Sequence, residues 1–91
     1  METDSVRLFV LAAEKGNITA AGRALGMVAS AASTKLAKLE RTLGADLLHR
    51  STRKVALSLE GSEFLPYARE ILAQEDAALA AMGRSDTTVT G

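Results

Sequence analysis

The sequence predicts a mainly α fold: three short helices, a two-stranded β wing, and one long helix that runs out of the compact part of the chain. Three observations predict it. Apolar residues recur at helical spacing in four stretches, and Asn, Ser or Gly punctuates most of their ends. Between the third and fourth stretches the period shortens to that of strands. Finally, 47% of the residues are apolar, mostly Ala and Leu, with Phe9, Phe64 and Tyr67 the only aromatics. That balance suits helices packed through small side chains and argues against a β-sandwich.

Taken in order, Asp4 can cap a first helix, with Thr3 the alternative, and Val6, Phe9, Val10 and Ala13 give it one buried stripe. Gly16 ends it. Asn17 caps a second helix, Ile18 to Leu25, with Thr19 in its first turn. Ala20, Ala21 and Ala24 keep that helix thin, so that neighbours approach closely, and Gly26 stops it. Met27 and Val28 are expected to plug the angle before a third helix, which starts near Ala29 or Ser30 and runs to about Leu43. Its inward stripe is Ala32, Leu36, Leu39 and Leu43; its opposite surface carries Ser30, Ser33, Thr34, Lys35, Ala37, Lys38 and Arg41. Two helices joined by a tight glycine turn, the second one basic, have the form of a helix-turn-helix.

After Gly44 come two short runs of strand character, Asp46–Arg50 and Lys54–Leu57, separated by Ser51, Thr52 and Arg53. A two-stranded hairpin is unstable alone, so Leu47, Val55 or Leu57 must pack it on the helices. A basic hairpin directly after a helix-turn-helix is a wing, and the fold class is a winged helix-turn-helix followed by a long dimerisation helix. Ser58 caps that helix, which continues to about Met82. Phe64, Ala68, Ile71, Ala78 and Met82 make one stripe on it, widened by Leu65, Leu72 and Leu79. Pro66 removes one backbone bond within it. Roughly 24 residues at about 1.5 Å each outreach the compact domain, so the far half needs another surface, most simply a second copy. Phe64, Leu65, Ala68, Ile71, Leu72, Leu79 and Met82 are the expected dimerisation residues. The predicted division is therefore residues 1–58 as the winged unit, 59–82 as the dimerisation helix and 83–91 as a linker, as in a piece of a longer protein.

Ninety-one residues suffice for one small core. The formal net charge is zero, but its distribution is segregated. Between Val28 and Lys54 stand Lys35, Lys38, Arg41, Arg50, Arg53 and Lys54 against Glu40 and Asp46; beyond Lys54 the balance turns acidic. The absence of cysteine excludes disulfides and thiolate metal sites. No apolar run reaches membrane-spanning length and no signal-peptide pattern opens the chain, so a cytoplasmic location is expected. His49, the only histidine, has no partners at metal-ligand spacing, and Ser30 and Ser33 lack a neighbouring base. Glu60, Glu63 and Glu70 read as a solvated helix face. No enzyme, metal or cofactor is indicated.

The stretches FVLAAEKGNITAAGRALG, SAASTKLAKLERTLGADLLHRSTRKVALSLEG and FLPYAREIL resemble the N-terminal domain of LysR-type transcriptional regulators, over residues 4 to 82. The joint spacing of Ala20-Ala21 before Ala24-Leu25-Gly26, Leu39-Glu40 with Leu43-Gly44, Leu47 to Arg50, and Gly61 with Phe64 carries the resemblance. It implies a bacterial DNA-binding winged helix, nucleoid-associated when bound, and a linker helix that forms a homodimer. It also implies an assembly into tetramers at full length and a C-terminal domain, beyond residues 83–91, that binds a small-molecule effector. By position it assigns DNA contact to Ser30 and Ser33 in the third helix and to Arg50 and Arg53 in the wing, with Thr19 near the backbone. Ala29, Thr34, Lys35, Lys38, Thr52 and Lys54 complete the expected DNA-binding set, with the helix of about 29–43 in the major groove and residues 50–54 on phosphates or in the minor groove.

Departures from the pattern fall in the third helix. The resemblance places serine where this chain has Val28, glutamine or proline at Ala29, and arginine at Thr34. Val28 removes a capping hydroxyl worth ~1 kcal/mol, unless Ser30 starts the helix later. Ala29 and Thr34 remove long bidentate donors. The expected preference leans instead on methyl contacts, on Lys35 or Lys38, and on DNA shape. A competing reading makes the chain a helix-mediated protein-interaction or dimerisation module without sequence-specific DNA binding, its basic face merely solvated.

Overall fold

The computed structural model describes residues 1–50 and 54–90, with side chains through Gly83. The elements run α1 (Thr3–Lys15), α2 (Ile18–Ala24), α3 (Ala29–Leu43), β1 (Leu48–Arg50), β2 (Val55–Leu57) and α4 (Leu59–Thr90). Their order and type are those the sequence predicts.

Helix α1 is the hub, packing against α2, α3 and α4. It begins two residues earlier than a cap at Asp4 requires and one earlier than a cap at Thr3: Glu2 occupies the N-cap without a side-chain bond, and Asp4 sits in the first turn, where its charge favours the positive helix end. Its buried surface is wider than one stripe. Ser5, Leu8 and Ala12 join Val6, Phe9 and Val10 inside, while Ala13 is only half-buried. Three neighbours rather than one explain the difference.

Asn17 caps α2 by accepting a hydrogen bond from the Ala20 N–H at 2.9 Å. Ala21 and Gly22 are buried, and a Cβ on Gly22 would stand 2.8 Å from that of Ala32, so α2 and α3 cross almost in backbone contact. In the turn, the Met27 N–H donates to the Gly22 carbonyl at 2.8 Å and its side chain packs on the core. Val28 does not join it; at 69% exposure it stands out at the head of α3. Ala32, Leu36 and Leu39 form the inward stripe of α3. Leu43 was expected there too, but it lies at the rim, facing a shallow hollow shared with Phe64 and Tyr67.

The wing pairs Leu48 with Leu57, His49 with Ala56 and Arg50 with Val55, antiparallel. Leu47 and Leu48 reach the core, and the Val55 N–H donates to the Gly16 carbonyl at 3.2 Å, tying the wing to the end of α1. Ser58 then fastens the next element. Its hydroxyl donates to the Asp46 carbonyl and accepts from the Gly61 N–H, while its own N–H donates to the Leu47 carbonyl. Gly61 passes so close to Leu47 that a Cβ there would collide with the Leu47 carbonyl oxygen. Only glycine permits this crossing.

Helix α4 runs through Pro66 without interruption. Phe64 tilts against Phe9 with ring centroids 5.5 Å apart, and Ala68 and Leu72 are buried. Outside the core, Arg7 donates to Glu75 at 3.0 Å and to Asp76 at 3.1 Å, and Arg69 lies 3.8 Å from Glu14. Hydrogen bonds to Glu75 and Asp76 hold the Arg7 guanidinium above its already high ordinary pKa. Where a linker was expected from Gly83, the helix continues to Thr90. One glycine costs a helix only about 1 kcal/mol, and no proline follows to stop it. Among the described residues no helix is long and apolar enough to cross a membrane.

Candidate nucleic-acid interface

With Ala32, Leu36 and Leu39 turned inward, the 3.6-residue period of α3 fixes what looks outward. Ser30, Thr34, Ala37 and Arg41 succeed one another along the outer line, flanked by Ala31 and Lys38 on one side and Ser33 on the other. Ala29, Ser30, Ser33, Thr34 and Lys38 are exposed, Lys35 half so. Thr19, exposed in the first turn of α2, lies one helix away across the turn. Arg41 was absent from the expected set; its position eleven residues after Ser30, on the same outward line, could have nominated it.

The head of α3 has a plain chemistry. Val28 is the N-cap, and no side-chain bond closes the first turn. The helix starts at Ala29, so Ser30 does not take the capping role over; its carbonyl instead accepts the Thr34 hydroxyl at 2.9 Å. Thr34 therefore has its hydroxyl proton committed to the backbone, leaving the oxygen as an acceptor only, with the methyl group beside it.

Lys35, Lys38 and Arg50 each have a carboxylate neighbour. Lys35 Nζ lies 3.6 Å and Lys38 Nζ 3.9 Å from the Glu2 carboxylate, so both lean toward the start of α1. At the wing, Arg50 shares a strand face with Leu48 and therefore points back at α3, where its Nη2 meets Glu40 Oε1 at 3.0 Å. The other carboxylate oxygen of Glu40 accepts from the Leu47 N–H at 2.8 Å and the Leu48 N–H at 3.4 Å. Glu40 thus joins the third helix to the wing. Nothing in its spacing announces that role, because its partners lie seven to ten residues on and meet it only after the chain has turned at Gly44. Arg50, a residue expected on phosphates or in the minor groove, is thus held by Glu40 within the chain. Lys54 is exposed at the start of the second wing strand, while Thr52 and Arg53 lie outside the described residues. His49 is exposed on β1, and among the described residues no group of His, Asp and Glu could hold a metal ion.

Residues 3–62 match the family described as bacterial regulatory helix-turn-helix protein, lysR family. The chain belongs to that family. Among LysR-family and related proteins it is 42% identical over 87 residues to a probable hydrogen peroxide-inducible genes activator from Mycobacterium avium, covering 94% of this chain and 28% of that one. Its backbone is similar to the BenM DNA-binding domain in complex with catB site 1 DNA, at 31% identity and a TM-score of 0.84, covering 94% of this chain and 97% of that one. It is likewise similar to the CbnR DNA-binding domain in a DNA complex, at 34% identity and a TM-score of 0.80, covering 98% and 99%. The chain spans less than half the length of such curated relatives.

The expected dimerisation set divides in two on this LysR-family fold. Ala68 and Leu72 are buried in the chain's own core, whereas Phe64, tilted against Phe9, and Leu65 and Ile71 are half-buried against it. Every fourth residue of a long helix reads alike in sequence, and only the packing on α1 shows where the domestic core stops. Leu79 and Met82 remain exposed, at 63% and 64%, and Leu59 and Tyr67 add exposed apolar surface at the other end of α4.

Proposed function

We propose that this chain is the sequence-specific DNA-binding portion of a LysR-family transcriptional regulator. Helix α3, about residues 29–43, enters the major groove by its outward line, and the wing, residues 50–54, lies over phosphates or at the minor groove. The observation that carries this reading is the likeness over nearly the whole chain to two domains whose solved structures hold DNA. The geometry supports it: the exposed face of α3, Arg41 and the Arg50 side of the wing form one continuous surface with no core function. The Glu40 carboxylate orients Arg50 there instead of leaving it to wander.

The unit is residues 1–58, with α4 as the dimerisation helix. A second copy of the chain covers Leu79 and Met82, with Leu65 and Ile71 at the margin of the contact. Tetramers and a small-molecule effector belong to the longer protein that the resemblance implies.

The test is selection of bound fragments from random duplexes, followed by titration against salt. Log affinity falls linearly with log salt in proportion to the phosphates neutralised. The Arg50→Ala, Arg53→Ala double variant weakens binding to all sequences alike and flattens that slope. Unchanged binding by the double variant, or a salt-independent affinity, would overturn the proposal. Lack of DNA binding alongside retained self-association would favour the interaction-module reading.

A further inference from the structure

We infer that the leading half of α3 reads the 5-methyl groups of pyrimidines in the major groove, so that thymine and 5-methylcytosine are bound more tightly there than uracil and unmodified cytosine. The inference rests on the DNA-binding reading above and specifies what that surface recognises.

It follows from what the head of the helix lacks and what it offers. Hydrogen-bond discrimination of guanine or adenine needs the paired donors or acceptors of Arg, Lys, Asn or Gln. From Val28 to Thr34 the sequence is Val-Ala-Ser-Ala-Ala-Ser-Thr, without one long polar side chain. Lys35 and Lys38 come next, but both lean toward Glu2 at the α1 side of the helix. Arg41 lies about 16 Å further along the axis than Ser30, a distance that suits a phosphate better than the bases under the helix head. The hydroxyls of Ser30 and Ser33 can bond to any base, and so distinguish none.

What remains is apolar. Val28 is exposed with no packing role, and Ala29 and Ala31 are exposed beside it. Thr34, whose hydroxyl is bound to the Ser30 carbonyl, presents its methyl group. The feature of the major groove that complements such a surface is the C5 methyl of thymine, the apolar group that base pairs display there. DNA is the occupant because the same helix carries the exposed Arg41 further along its outer line and meets Arg50 of the wing at Glu40. Because the contact is to the methyl group and not to the exocyclic oxygen, a 5-methylcytosine satisfies it as thymine does.

The experiment uses the full 91-residue chain and the duplex selected from random sequence. Each pyrimidine under the helix head is presented as thymine, deoxyuridine, cytosine or 5-methylcytosine, and affinity is read by fluorescence anisotropy. Burial of one methyl predicts about a fourfold loss for each contacted thymine replaced by deoxyuridine. Methylation of a cytosine at that position recovers most of the loss. Thr34→Ser keeps the bond to the Ser30 carbonyl and removes only the methyl, so in this variant one position becomes indifferent to the thymine-to-deoxyuridine exchange; Val28→Ala does the same at another. Both residues are exposed, so folding is unaffected. A selected duplex bound equally well with thymine and deoxyuridine throughout overturns the methyl inference and leaves DNA binding standing. A chain that selects no duplex overturns both.

Discussion

Replacing Glu40 separates the strength of a surface ion pair from that of a carboxylate holding backbone. The side chain is 13% exposed, accepts the Leu47 N–H at 2.8 Å, and is 3.0 Å from an Arg50 that is 38% exposed. Glu40→Ala removes a charge-assisted bond to a partly buried N–H, a loss of about 1.5–3 kcal/mol. The ion pair itself, half in solvent, adds about 0–1 kcal/mol. The alanine variant is therefore expected to lose about 2–3 kcal/mol, a large share of the roughly 5–10 kcal/mol available to a domain of this size. Glu40→Gln retains an amide oxygen for the Leu47 N–H and forfeits only charge, so its loss is about 1 kcal/mol. Arg50→Ala, which leaves the backbone bonds intact, loses no more than about 1 kcal/mol. Urea denaturation followed by circular dichroism measures all three. The ranking Glu40→Ala, then Glu40→Gln and Arg50→Ala together, is the expected outcome. Equal small losses for Glu40→Ala and Arg50→Ala would refute the claim that Glu40 fastens the wing.

Other substitutions probe the remaining joints. Gly61→Ala forces a Cβ onto the Leu47 carbonyl, and about 3 kcal/mol or more of destabilisation is expected, visible as a lowered denaturation midpoint. Asn17→Ala removes the α2 cap and costs about 1 kcal/mol in the same assay. A Leu79→Glu, Met82→Glu variant is expected to keep the monomer's stability, because both side chains are exposed, and to sediment as a monomer against the dimer expected of the parent chain; a dimer that survives would move the interface off this part of α4.

Most of the fold was legible because its punctuation is local. Asn17, Gly26, Gly44 and Ser58 act on the few residues beside them, and each boundary they mark lies within a residue of where the spacing predicts, α2 ending at Ala24 rather than Leu25. Errors arose where one helix has several neighbours. The stripe on α1 was drawn too narrow because periodicity counts one buried face, and Leu43 was placed inside because α3 ends beyond its support. The far end of α4 was read as linker because glycine marks stops better than it enforces them. The candidate interface was legible as a list of exposed polar residues on α3. Its wiring was not. The pairing of Arg50 with Glu40, the leaning of Lys35 and Lys38 toward Glu2, and the bound hydroxyl of Thr34 depend on how chain segments meet in space, and they change which residues remain available to DNA.

In the proposed function, the outward face of α3 and the wing together form the DNA surface. A titration of the isotope-labelled chain with its selected duplex, followed by amide and methyl NMR shifts, tests it residue by residue. Changes concentrated at Val28 to Lys38, at Arg41 and across Arg50 to Lys54 are expected, with Leu79 and Met82 unmoved. Changes confined to α4, or a spectrum indifferent to the duplex, would contradict it.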